Sequence, residues 1–273
     1  MEILIAVIAL ALAAFVAIAL LLFIFGTIVE PAFMLVFNRP VYVHFYPFKK
    51  QLEPLHKRLL ETNSRFYRRL SPVRQSYFRH RVASFIRHYE FAGRDGLVVT
   101  DEMKIEIAAT AVMLTFGMRK YLPTIISVII LYPDAFTSAN RQDLHKGEFN
   151  PLAGAVVFSW KHFVEGNAYN DNLNLGLHEF AHVLHFDSVR KRRPGSSAVI
   201  YSDMFDKIMQ YLTKPENRKR LAGAGYFREY AYTNQYEFIA VLLEHFFETP
   251  VEFRQKFPEL YTMVKKMINY REG

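Results

Sequence analysis

The run His178-Glu179-Phe180-Ala181-His182 constrains this chain more than any other feature. On an α-helix, side chains four residues apart project from one face. Both imidazoles can therefore reach one Zn²⁺, and Glu179, one step round, can reach a water that the ion polarises. This is the H-E-x-x-H pattern of a zinc peptidase, in which the glutamate takes the water's proton and passes it to the leaving amine. Leu175, Leu177, Phe180, Ala181, Val183 and Leu184 around it are uncharged. A helix that turns one face to a cleft buries the others, so apolar flanks are expected. The competing reading is a buried amphipathic helix whose histidines are only hydrogen-bonded.

A third ligand is required. His185 shares the face of His178 and His182, but seven residues of helix rise about 10 Å, and Zn–N bonds are ~2.0–2.1 Å. One ion cannot hold both ends, so His185 reads as packing or as support for a ligand. Downstream, Gln235 onward forms an amphipathic helix with Glu237, Ala240, Val241 and Glu244 on one stripe. A carboxylate on an inward stripe is costly unless paired or metal-bound. Glu237 is the preferred third ligand. The alternative is a capping box, with Asn234 as N-cap and Glu237 three residues on. Glu244 is a substitute ligand or, in the favoured reading, the acceptor of a hydrogen bond from a ligand histidine.

Several stretches together resemble the Mlc titration factor A family of zinc peptidases. They are Val99-Thr100-Asp101-Glu102-Met103, Leu131-Tyr132-Pro133-Asp134-Ala135-Phe136, His178 to His182, and Tyr230-Ala231 with Thr233 and Glu237-Phe238-Ile239-Ala240-Val241. The resemblance spans roughly residues 50 to 270. It implies His178, His182 and Glu237 as zinc ligands, Glu179 as general base and Tyr230 as an active-site tyrosine near the metal. A phenol there can donate to the oxyanion of a tetrahedral intermediate; the plain alternative is an ordinary buried tyrosine. It further implies a zincin-like metallopeptidase, aminopeptidase-like on small substrates. Some members bind a DNA-binding repressor of sugar-uptake genes, which makes a regulatory protein a second expected partner beside a peptide substrate. Two departures stand out: His185 where the family pattern has Asp, and an added hydrophobic N-terminus. The first bears on support of the metal, the second on the repressor partnership.

From Ile3 to Phe25 no side chain is polar or charged, which is long enough to span a bilayer. A cleavable signal has a basic start and a shorter apolar core. Here Glu2 is the only charge before the run, which favours an uncleaved transmembrane helix. Nothing basic precedes it, whereas Arg39, Lys49, Lys50, Lys57 and Arg58 follow. The Lys/Arg bias favours a single-pass inner-membrane protein with its catalytic domain in the cytoplasm. No other run spans: residues 105–132 are interrupted by Arg119 and Lys120, which argues against an intramembrane protease. The expected division is an anchor over 1–25, a juxtamembrane segment over 26–48 and a zinc metallopeptidase domain over 49–273. In the juxtamembrane segment Pro31, Pro40 and Pro47 are expected to prevent one long helix. Tyr42, Phe45, Tyr46 and Phe48 either sit at the membrane interface or pack on the domain.

The 273 residues contain no Cys, so neither a disulfide scaffold nor a Cys-ligated zinc is open to this chain. The expected fold is α+β, mainly helical with a small sheet, behind the apolar helix. Helices are expected over 50–70, from Ser71-Pro72, from Thr100 to near Gly117, from Asn174 to about Asp187, and over 199–212, 235–248 and 258–270. Ile125–Tyr132 and Val156–Trp160 read as strands, the second as a sheet edge able to pair with a peptide substrate. Arg190 to Gly195 reads as a solvated basic loop. With no recognition motif behind the net charge of +8, nucleic acid is not an expected partner. The rival function is a membrane-tethered binding or regulatory protein with a structural zinc, which would close its site with four protein ligands and need no base.

Overall fold

The N-terminal apolar run forms α1 (Glu2–Ile24), which passes through one π-helical turn (Phe25–Val29) into α2 (Glu30–Phe37). Pro31 does not end the helix. Its ring has no N–H for the preceding turn and would crowd that turn's carbonyl. The π-turn shifts the register instead: the Glu30 N–H bonds back to the Phe25 carbonyl, an insertion of the kind that absorbs such a conflict. The column stops at Asn38, which adopts a left-handed conformation. It is the one helix among the described residues long and apolar enough to cross a membrane.

The computed structural model describes residues 1–137, 143–192 and 196–271. After an irregular segment come α3 (Pro54–Asn63), α4 (Arg65–Arg68), α5 (Pro72–His88), strand β1 (Glu90–Gly93) and α6 (Asp101–Thr115). Strands β2 (Val128–Tyr132), β3 (Phe136–Thr137), β4 (Leu144–His145), β5 (Gly147–Asn150) and β6 (Ala155–Ser159) follow. The rest is helical: α7 (Trp160–Ala168), α8 (Leu175–Arg190), α9 (Ser197–Thr213), α10 (Pro215–Ala224), α11 (Gln235–Glu248), α12 (Pro250–Lys256) and α13 (Pro258–Met267). The fold is therefore α+β with a small mixed sheet, as expected. The helix read over 50–70 is broken at Ser64, whose hydroxyl accepts from the Tyr67 N–H and starts α4. Thr100 caps α6 and Asn174 caps α8, each accepting a backbone N–H three residues on.

The sheet order is β1-β2-β6-β5, with the first three strands parallel and β5 antiparallel. This corrects the expectation for Val156–Trp160. β6 is paired on both sides, so it offers no free edge, and Trp160 opens α7. β5 is the edge strand, and it runs beside α8. The approach is close: a Cβ on Gly147 would lie 2.7 Å from Leu175 Cδ1 and 2.9 Å from Glu179 Cγ. A side chain at 147 would displace those of Leu175 and Glu179, so glycine keeps the edge near the metal-motif helix without disturbing them.

α8 occupies the centre. Its Phe180 ring meets Phe158 of β6 at 5.5 Å and Phe85 of α5 at 6.0 Å between centroids. α6 and α11 pack against other faces of α8, with Ala240, Val241, Leu242 and Leu243 of α11 wholly buried. The segment between α2 and α3 is held by Arg81 of α5, which is fully buried. Arg81 donates to the carbonyls of Val43, Thr115, Phe116 and Met118 and to the Tyr46 hydroxyl. His44 and Tyr46 are thus packed on the domain, whereas Phe45 and Phe48 point outward. Of the basic loop, Lys191 pairs with Asp187 and Arg192 with Asp203 and Asp206; residues 193–195 lie outside the described residues.

Phe158 is the centre of the contact between sheet and metal-motif helix. Phe158→Ala should cost about 3–5 kcal/mol of stability, read from denaturant unfolding of the full chain in detergent. A loss below ~1 kcal/mol would contradict this packing.

Candidate metal centre

His178 and His182 lie one turn apart on α8 with their rings at 87° to each other and their Nε2 atoms 3.2 Å apart. Glu237, in the first turn of α11, completes the group. Its Oε2 is 2.9 Å from His178 Nε2 and its Oε1 is 3.5 Å from His182 Nε2. Four ligands placed tetrahedrally ~2.1 Å from an ion are about 3.4 Å from one another. The observed separations bracket that value. Asn234 does cap α11, accepting from the Tyr236 and Glu237 N–H groups. Glu237 nevertheless turns its carboxylate toward the two histidines, so the cap and the cluster use different atoms of the residue.

The pocket favours positive charge. Burial works against a charged His178, yet the carboxylates of Glu237 and Glu244 raise it to about 10. Burial alone would raise the Glu237 carboxyl, but the two imidazoles hold it well below the usual carboxylate range. Glu237 Oε2 is buried without an aligned hydrogen-bond partner, although His178 Nε2 is near. A buried carboxylate oxygen left this way is the acceptor a cation would satisfy. Two imidazoles and one carboxylate are also a donor set suited to zinc. The residues present therefore fit the group.

Behind the cluster, His178 Nδ1 donates to Glu244 Oε1 at 2.6 Å. Glu244 is fully buried, and Arg228 grips it at both oxygens, at 2.6 and 2.9 Å. The carboxylate fixes which imidazole nitrogen faces forward, and the two-pronged guanidinium contact holds that carboxylate in place. Glu244 lies behind His178, on the side away from the nitrogens that Glu237 faces. Arg228 was not foreseen. The only trace of it in the sequence is that an acid on an otherwise apolar stripe demands a cation.

Glu179 lies in the same site. Burial raises its carboxyl, the neighbouring histidines lower it in part, and a backbone hydrogen bond from Phe149 of β5 holds it. Tyr230 stands on a short 3₁₀ turn (Glu229–Tyr232), half-exposed, its ring 5.9 Å from that of His178. Its hydroxyl, bonded to Glu237, is pushed up to about 12 by burial and by that carboxylate, so it keeps its proton at neutral pH. His185 faces away, buried among Tyr201, Phe205 and Tyr236, and burial lowers it to about 4. It packs as a neutral ring. A cavity of about 630 Å³ lies elsewhere, among Leu60, Glu106, Asn174 and Glu248, and none of the clustered side chains lines it.

An H-E-x-x-H helix met by a carboxylate from a later helix, at the open edge of a small mixed sheet, defines a metallopeptidase-like protein. The model of the glucose-regulated metallopeptidase family M90 matches residues 46–270, and the chain belongs to that family. It is also 27% identical over 237 residues to the uncharacterized protein slr2042 of Synechocystis sp., an alignment that covers 80% of this chain and 85% of that protein. The family implies a metal and a peptide or protein substrate.

Glu244→Gln keeps the shape of the supporting side chain but removes its charge. The variant should fold and bind zinc about 10–100-fold more weakly, as measured by competition with a chromogenic chelator. Unchanged affinity would show that Glu244 plays no part in holding the site.

Proposed function

We propose that this chain is a membrane-anchored zinc peptidase whose metal is held by His178, His182 and Glu237. The observation that carries the reading is the convergence of their three ligand atoms, all within 4.8 Å of one another. When bound, zinc would supply Lewis-acid chemistry, polarising a peptide carbonyl and acidifying water.

The residues divide the remaining work. Glu179 is the proton carrier. Its depth in the site raises its affinity for a proton, which suits a group that takes one from water and returns it to the leaving amine. The Phe149 N–H bond aims it. Tyr230 retains its proton and donates to the oxyanion that develops on the attacked carbonyl. The free edge of β5 is where an extended peptide would pair, next to Glu179, in place of the interior strand first read from the sequence. An aminopeptidase-like preference for small substrates follows from the family resemblance. A purely structural zinc would leave a buried, oriented Glu179 without a purpose.

The N-terminal helix supports anchoring in a membrane. The basic residues that follow it, from Arg39 to Arg58, support a cytoplasmic catalytic domain.

Glu179→Gln should retain zinc and lose about 10²–10⁴-fold in peptide hydrolysis, measured by digestion of a peptide library with metal content determined in parallel. Undiminished turnover at full zinc loading would contradict the mechanism.

A further inference from the structure

The N-terminal helical column is longer than a bilayer. α1, the π-turn and α2 run as one apolar helix of 36 residues from Glu2 to Phe37. At ~1.5 Å per residue that is about 54 Å, against ~30 Å of hydrocarbon and ~40–45 Å with both headgroup layers. Confining it to the hydrocarbon would take a tilt of about 55°, beyond the ~0–40° that helices adopt. The excess is not polar: Leu35 and Val36 are 83% and 69% exposed. Between Ile3 and Phe37 the only charged side chain is Glu30. Its carboxylate is buried and paired with Arg119 of the domain. The last turns of the column are therefore apolar outward and already docked to the domain inward, through Glu30 and Met34.

Arg119 ties this helix end to the segment that follows. It donates to the Tyr42 carbonyl and lies 3.9 Å above the Tyr42 ring, which in turn meets Phe45. Phe45 and Phe48 project into solvent, and Arg39, Lys49 and Lys50 beside them are exposed. Alternate residues, His44 and Tyr46, are fastened to the domain, so the outward aromatics stand on a fixed base. Aromatic rings flanked by basic side chains are the composition favoured in an anionic headgroup layer.

We propose that Arg39 to Lys50 forms a foot that seats the peptidase domain directly on an anionic phospholipid surface, rather than letting it hang from a linker. This deepens the anchoring reading and rests on it. The test uses the full chain in vesicles of phosphatidylcholine and phosphatidylglycerol. Because the chain has no cysteine, single labels go in cleanly as Leu21→Cys, Phe45→Cys, Phe48→Cys and Leu152→Cys, each carrying a fluorophore. Quenching by brominated lipid and by a water-soluble quencher is then compared. Leu152, 96% exposed on the β5–β6 turn, reports the aqueous phase. The proposal expects lipid quenching at Leu21 and, shallower but several-fold above Leu152, at Phe45 and Phe48. Quenching at Leu21 with Phe45 and Phe48 no different from Leu152 would overturn the foot while leaving the anchor in place. No lipid quenching at Leu21 would overturn the anchor and the foot together.

Discussion

Everything in this fold turns on two carboxylates of α11, one fully and one partly buried, that face the imidazoles of α8. A helix as apolar as α11 does not carry Glu237 and Glu244 inward without compensation, because an unpaired buried charge is far too costly. Each therefore has a partner. Glu244 is held between the back of His178 and the fork of Arg228. Glu237 closes on the front nitrogens of His178 and His182. The helix pairing and the chemistry share one set of atoms.

From this pairing the remaining geometry follows as a series of constraints. Arg228 fixes Glu244, Glu244 fixes the ring of His178, and the ring fixes where an ion would sit. On the opposite side β5 lies against α8 at Gly147, where a Cβ would press on the side chains of Leu175 and Glu179, and the Phe149 N–H meets Glu179. In the proposed mechanism the edge strand thus orients Glu179 as proton carrier and receives the substrate.

Much of this was legible in the chain. H-E-x-x-H sets the face of α8, and a second acid on a distant apolar stripe points to Glu237. The start of α11 was readable from Asn234, a strong cap. What escaped has physical causes. β1 and β5 are four residues each, too short for alternation to stand out. Val156 to Trp160 gave no hint of its neighbours, so an interior strand was read as an edge. Pro31 was expected, with Pro40 and Pro47, to prevent one long helix, and the π-turn that accommodates it leaves no sequence mark. Arg228 lies in an irregular stretch, where no periodicity reveals its direction.

The central claim is that two imidazoles and one carboxylate hold a single ion and leave one position for water. X-ray absorption on the zinc-loaded protein reads this directly. The account predicts two histidine nitrogens and two light oxygen or nitrogen neighbours at ~2.0–2.2 Å, one of which is replaced when a hydroxamate binds. Four protein ligands that no inhibitor displaces, or zinc held with fewer than two histidines, would contradict it.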